Sequence, residues 1–206
     1  MARALPSSDR TRRPPARRLS RAQRREAILQ GATRAFSAAG FAATSMSDVA
    51  AAAGITPLIV YRHFDSKEAL YRAALEAASE RMEAELATGG EPDGYGVGAG
   101  SVLRAARQDP AGFRLLWRHA AREPQFASYA ERLREQAIER AEAALRERVP
   151  REALRWAAHA VVGYLVESVL NWLEFGDSAH DERFVAATNA AMRAGIRVWS
   201  QAERTR

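Results

Sequence analysis

Apolar and polar positions follow a helical period along most of this chain. Ile28, Leu29, Ala32, Ala35 and Phe36 recur three and four residues apart, which predicts a first helix from Ser20 to about residue 39. Ser20 and Gln23 have the spacing of a capping box at its start. Met46, Val49, Ala50 and Ala53 form a second apolar stripe, opened by Ser45 with Asp48 three residues on. Gly54 ends that helix, because glycine readily takes the left-handed conformation of a helix terminus. Thr56 and Pro57 restart the chain: a hydroxyl cap, then proline at the first helical position, where its missing N–H costs nothing. A short helix over 57–63 follows. Asp65 with Glu68 reads as a further capping box, opening a helix over 66–88.

Residues 89–100, GGEPDGYGVGAG, read as a flexible connection. They contain no GxGxxG pattern and no following Lys-Ser/Thr, so a phosphate cradle is not indicated. Helical patterning resumes at Ser101. Asp109-Pro110 opens a helix to about Ala121, Glu123-Pro124 breaks it, and a long amphipathic helix runs to about Val149. Pro150 starts a helix ending near Phe175, and a last one covers 181–201. Leu154, Ala157, Ala158, Val161, Val162, Leu165, Val166, Val169, Leu170 and Leu173 wrap most of the way round the helix after Pro150. Such a helix must be buried on two faces. Two readings remain open: the central helix of a monomeric bundle, or a helix that also packs on a second subunit. Ala160, Gly163, Ala190, Ala191, Ala194 and Gly195 permit the close approach that the second reading needs.

The fold class is all-α: a three-helix head followed by a larger helical bundle. Composition narrows the function. The net charge is +6, but residues 1–25 carry nine arginines against Asp9 alone, and the remainder sums to −2 with 22 basic and 24 acidic side chains. The excess sits in a basic arm, residues 1–19, expected to be disordered. It fits a polyanionic partner, an inert solvated tail, or an Arg- and Ser-rich targeting segment. The chain has no cysteine, hence no disulfide framework, thiolate metal site or thiol nucleophile. His63, His119, His159 and His180 show no metal-ligand spacing, and no Ser/His/Asp order supports catalysis. We therefore expect no enzyme activity, no cofactor and no metal. The first 25 residues lack the apolar core of a secretory signal, and residues 157–173 are too short and polar to span a bilayer. A cytoplasmic protein without membrane contact follows as the expectation.

Helix, glycine turn, helix over 45–71 is the helix-turn-helix plan, whose second helix enters the DNA major groove. In ordered succession the chain reads "RREAIL", "GATRAFSAAGFAATSMSDVA", "AGIT", "VYRHF" and "SKEAL", with Phe36, Gly40, Phe41, Thr44, Val49, Ala50, Gly54, Tyr61, Phe64, Lys67 and Leu70 at characteristic spacing. On these residues it resembles the TetR family of bacterial transcriptional regulators, departing from the common pattern at Pro57, Leu58 and Ile59. The resemblance implies a DNA-binding head over 20–65 and an effector-binding, dimerising body over 66–206. The last two helices of each subunit would join in a four-helix homodimer interface. It also implies repression of a palindromic operator, relieved by a small-molecule effector. A ligand-independent architectural DNA-binding protein is the alternative.

In the short second helix, Val60 and Phe64 match buried family positions, leaving Thr56, Leu58, Ile59, Tyr61 and Arg62 outward. Leu58 and Ile59 suit contact with thymine methyl groups. Arg62 suits either guanine or a phosphate. The resemblance places Tyr61, His63 and Lys67 at phosphate contacts, and adds Ser45, Ser47 and Pro57 to the DNA-facing set. Lys67 is the one lysine among 30 arginines. For the effector, the resemblance points to a pocket in the body, with Phe113, Leu116, Trp117, Tyr129, Trp156, Tyr164 and Glu167 as candidate lining. Trp117, Trp156, Trp172 and Trp199 read as core or interface rather than as a cofactor box, with cavity lining the alternative for some of them.

Overall fold

The computed structural model describes residues 20–88 and 98–201. The basic arm and nearly all of the glycine-rich connection lie outside the described residues. Those described form helices and no strand: α1 (Arg21–Ala43), α2 (Met46–Ala53), α3 (Pro57–Tyr61), α4 (Lys67–Thr88), α5 (Ala99–Gln108), α6 (Pro110–Arg114), α7 (Ala127–Leu145), α8 (Arg151–Phe175) and α9 (Asp181–Gln201). A π-helical turn, Leu115–His119, and a 3-10 turn, Ala120–Arg122, follow α6. A second 3-10 turn, Ser178–His180, precedes α9.

Local chemistry sets the boundaries. The Gln23 amide donates to Ser20 Oγ at 3.1 Å while the Ser20 amide donates to the Gln23 side chain at 2.9 Å, closing the expected capping box. Ser45 and Asp48 close another at 3.1 and 2.8 Å. Gly54 ends α2 at φ 67°, and Gly40, at φ 79°, breaks α1 just past its expected stop. Downstream of that break Thr44 Oγ1 donates to the Gly40 carbonyl at 2.7 Å.

Two caps differ from expectation. Ser66, not Asp65, caps α4: its Oγ accepts from the Ala69 amide at 3.0 Å, because Ser66 stands three residues before that amide. Thr56 holds the cap position of α3 without a side-chain bond. The Ile59 amide, which the hydroxyl would have accepted from, already donates to Thr56's own carbonyl at 3.0 Å in this five-residue helix. The single helix expected from Asp109 to Ala121 is also three pieces, with Asp109 capping α6 through the Gly112 amide at 2.8 Å.

The helix α4 runs from head to body, packing on α1 and then on α5, α6 and α7. Its buried stripe, Leu70, Tyr71, Ala74, Leu75, Ala78 and Met82, serves both halves. Arg81 of α4 pairs with Asp109 at 2.8 Å. Arg107 of α5 pairs with Asp181 at the start of α9 at 2.8 Å, and Trp172 Nε1 donates to the same carboxylate. The Arg107 bond, aided by Trp172, holds the Asp181 carboxyl below its ordinary range against the opposing effect of burial. Within α8, Ala157, Ala158, Val161, Val162, Leu165, Val166, Val169 and Leu170 are buried against the body, so one chain covers most of the apolar stripe.

Candidate nucleic-acid interface

The head presents α3 from two inward anchors. Val60 is fully buried and Phe64 nearly so, which turns Leu58, Tyr61 and Arg62 outward together with Thr56 and Pro57. Leu58 is 62% exposed and Tyr61 55% exposed, large apolar surfaces for a folded head. Ser45 and Ser47 are exposed on α2, although the Ser45 hydroxyl is engaged with Asp48 at 2.7 Å. That bond and the Ser45 amide keep the Asp48 carboxyl below its ordinary range. The helix α2 is locked beneath by Arg34, which donates to the Ala52 carbonyl at 2.7 Å.

Two expected outward residues sit differently. Ile59 is partly buried and packs against the hydrophobic core, lying about 100° round the helix from fully buried Val60. Lys67 turns inward to the end of α1. Its Nζ donates to the Phe41 carbonyl at 2.9 Å and lies 4.4 Å from the centre of the Phe41 ring. A cation there satisfies carbonyls that a terminating helix leaves unpaired.

His63 is half buried at the end of α3. Burial lowers its pKa first, and the positive charges of Arg21, Arg24 and Arg25 add to the effect. These three arginines form a group that composition alone shows only as part of the general positive charge. Arg21, Arg24 and Arg25 share one face of the first turns of α1, beside the α3–α4 corner, and the Arg25 guanidinium lies 5.3 Å from the centre of the Phe64 ring. The signal was available: the Ser20 cap starts the helix there, and spacings of three and four align the side chains.

The body holds an apolar slot between α4, α5, α6, α7 and α8, with about 590 Å³ of empty space including its open mouth. Phe113 and Trp117 line it. The other five candidates do not. Leu116 is fully buried in the core, and Tyr129 donates to Glu76 at 3.1 Å. Trp156, Tyr164 and Glu167 lie on the opposite, outward face of α8, where Trp156 stacks edge-on against Trp199 at 5.0 Å. The slot's remaining walls come from apolar residues such as Met82, Leu86, Val162 and Val166, and Arg140 is its one charged lining residue among those described. The spacing of the α8 stripe carries that information; aromatic residue type does not. The slot also touches the head through the π-helical turn. Trp117 lines the slot, while His119 two residues on approaches the Ser37 carbonyl of α1 at 2.9 Å. Burial keeps the His119 pKa below its ordinary value despite that carbonyl, and Arg118 and Arg122 add to the lowering. Among the described residues no group of His, Asp and Glu could hold a metal ion, and no helix is long and apolar enough to cross a membrane.

Residues 28–74 match the family model of bacterial regulatory proteins, tetR family. No curated protein matches the chain. Solved structures share its fold. A TetR-like transcriptional regulator from Rhodococcus sp. RHA1 aligns at 23% identity over 87% of this chain and 98% of its own, with a TM-score of 0.75. A tetR-family transcriptional regulator from Streptomyces coelicolor aligns at 22% over 88% and 85%, TM-score 0.62. One from Marinobacter aquaeolei VT8 aligns at 22% over 83% and 94%, TM-score 0.57.

Proposed function

We propose that this chain, whose residues 28–74 match the tetR family of bacterial regulatory proteins and whose fold TetR-like regulators share, is a homodimeric transcriptional repressor released from a palindromic operator by a small molecule. The observation that carries this reading is the outward face of α3. Leu58, Tyr61 and Arg62 stand uncovered while Val60 and Phe64 anchor the helix, and arginines of α1 border it. Apolar and hydrogen-bonding groups for base edges, with cations beside them for phosphates, are what major-groove docking requires. In this reading residues 20–65 bind DNA and 66–206 bind the effector and dimerise.

The outward face of α8 and α9 supports self-association. Trp156 is 49% and Tyr164 41% exposed there, beside a groove floored by Ala160, Ala191 and Gly195. A second copy presents the same face about a two-fold axis, covering the aromatic rings and letting the backbones approach. The slot in the body is the effector site, and the π-helical turn from Trp117 to His119 is its physical link to α1. A ligand preferring the conformation with separated heads shifts the population away from DNA in proportion to that preference.

Selection of duplexes from a random pool tests the reading. Two docked heads select inverted half-sites whose centres lie about one helical turn apart, or a multiple of it. A pool enriched without symmetry, or not enriched, overturns it. On the selected operator, Arg62→Ala and Tyr61→Phe each weaken binding by about 1–3 kcal/mol. Wild-type affinity in both variants would mean that another face docks.

Leu58 contributes a thymine contact, and with Ile59 half buried that contact rests mainly on Leu58. Replacing thymine by uracil at one position per half-site removes a methyl worth about 0.8 kcal/mol of binding. In Leu58→Ala this sensitivity disappears. If no uracil substitution in the operator changes affinity, Leu58 does not meet a base.

A further inference from the structure

We propose that the slot in the body takes an amphipathic anion, with the apolar part between the helices and the acid group on Arg140. This rests on the slot being the effector site. Among the described residues every lining side chain but one is apolar, so the slot favours a ligand whose buried part is apolar. The exception is Arg140, at the exposed edge.

Arg140 differs from four other arginines of the body. Arg81, Arg107, Arg118 and Arg155 each hold a carboxylate within 2.8 Å. Arg140 makes no hydrogen bond or ion pair with a described residue. Its helical neighbours at three and four residues are Gln136, Ala137, Ala143 and Ala144, so α7 offers it no acid. Glu142, the nearest acid past it on α7, is taken by Arg155 at 3.1 Å. Arg134 adds a second positive charge, its guanidinium 5.5 Å from the centre of the ring of Trp117, a slot-lining residue. Among the described residues the slot's edge thus carries Arg140 and Arg134, and the planar Arg140 guanidinium is open to bind an oxyanion in the two-pronged manner that suits carboxylate or phosphate. A neutral apolar ligand leaves this charge unused; a cationic one is repelled.

The test uses the full chain, titrated calorimetrically with decanoate, decyl phosphate, decanol and decylammonium. Wild type binds at least one of the two anions more tightly than decanol and binds decylammonium weakest. Arg140→Gln weakens the bound anion by roughly three- to ten-fold, the scale of a charge-assisted pair at a solvent edge, and leaves decanol unchanged. Arg140→Lys keeps part of the preference, and comparing the two anions tells a carboxylate from a phosphate ligand. An arginine that merely covers the slot with its aliphatic stem gives equal affinities for anion and alcohol, or no change in Arg140→Gln; either result overturns the proposal, as does no anion binding. Binding of the ligand-free protein to its selected duplex is scored separately, so failure here stays distinct from failure of the operator reading.

Discussion

Gly31→Val will cost the head its fold and, with it, DNA binding. Gly31 lies where α1 crosses α2, and a Cβ there would meet the Ala53 Cβ at 2.6 Å, its amide nitrogen at 2.8 Å and its Cα at 2.9 Å. Two of those three are backbone atoms, which cannot rotate away. Alanine would gain about 1 kcal/mol of helix propensity over glycine, yet overpacking costs typically 1–3 kcal/mol, so even Gly31→Ala destabilises on balance. Valine adds two methyls to a contact already impossible, on the order of 3 kcal/mol or more. The displacement falls on α2, which inserts Met46, Val49 and Ala50 into the core and sets the angle of α3. Thermal denaturation followed by circular dichroism measures the loss, and operator binding the consequence. Gly100→Ala is the matched control, since its Cβ would lie 3.5 Å from Val185 Cγ1, an ordinary contact. A Gly31→Val protein that melts with the wild type and still binds its operator would show that the two helices part freely.

What was legible in the chain was local. Ser20–Gln23 and Ser45–Asp48 declare their helices because a cap is a relation between residues three apart, and Gly54 needs only its own backbone freedom. The all-helical class followed from composition and periodicity, and the burial of Val60 and Phe64 from the resemblance. Misplaced features depended on what another segment supplies. Lys67 turns to carbonyls 25 and 26 residues away, which no window around position 67 contains. The π-helical turn brings His119 to a carbonyl 82 residues upstream. On α8, aromatic type suggested lining residues, but the face toward the body is chosen by the valines and leucines at helical spacing. Trp156 and Tyr164 lie on the other face for that reason. Asp65 lost the cap to Ser66 by a single residue of register.

Phe126→Ala will lower the melting temperature by roughly 6–20 °C, because this ring joins head to body. Phe126 follows the break at Glu123-Pro124 and is fully buried just ahead of α7. Its ring meets Phe41 of α1 at 5.0 Å and Tyr71 of α4 at 4.5 Å, and Tyr71 in turn meets Phe36 edge-on at 4.8 Å. Three separate segments thus share one aromatic cluster, and truncation leaves a cavity walled by all of them. Such a loss costs about 3–5 kcal/mol, and a chain of this length shifts about 2–4 °C per kcal/mol. Tyr71→Phe separates packing from polarity at the same place. The Tyr71 hydroxyl is buried without a partner, and burial, with Glu123 adding to it, pushes its pKa well above the ordinary value. Removing that oxygen keeps every ring contact and relieves an unpaired polar group, so Tyr71→Phe is neutral or stabilising by about 1 kcal/mol. One melting experiment therefore separates the two variants: Phe126→Ala falls and Tyr71→Phe does not. A Phe126→Ala protein within 2 °C of wild type, or a Tyr71→Phe protein that falls as far as Phe126→Ala, would mean that the head is held to the body by something other than these stacked rings.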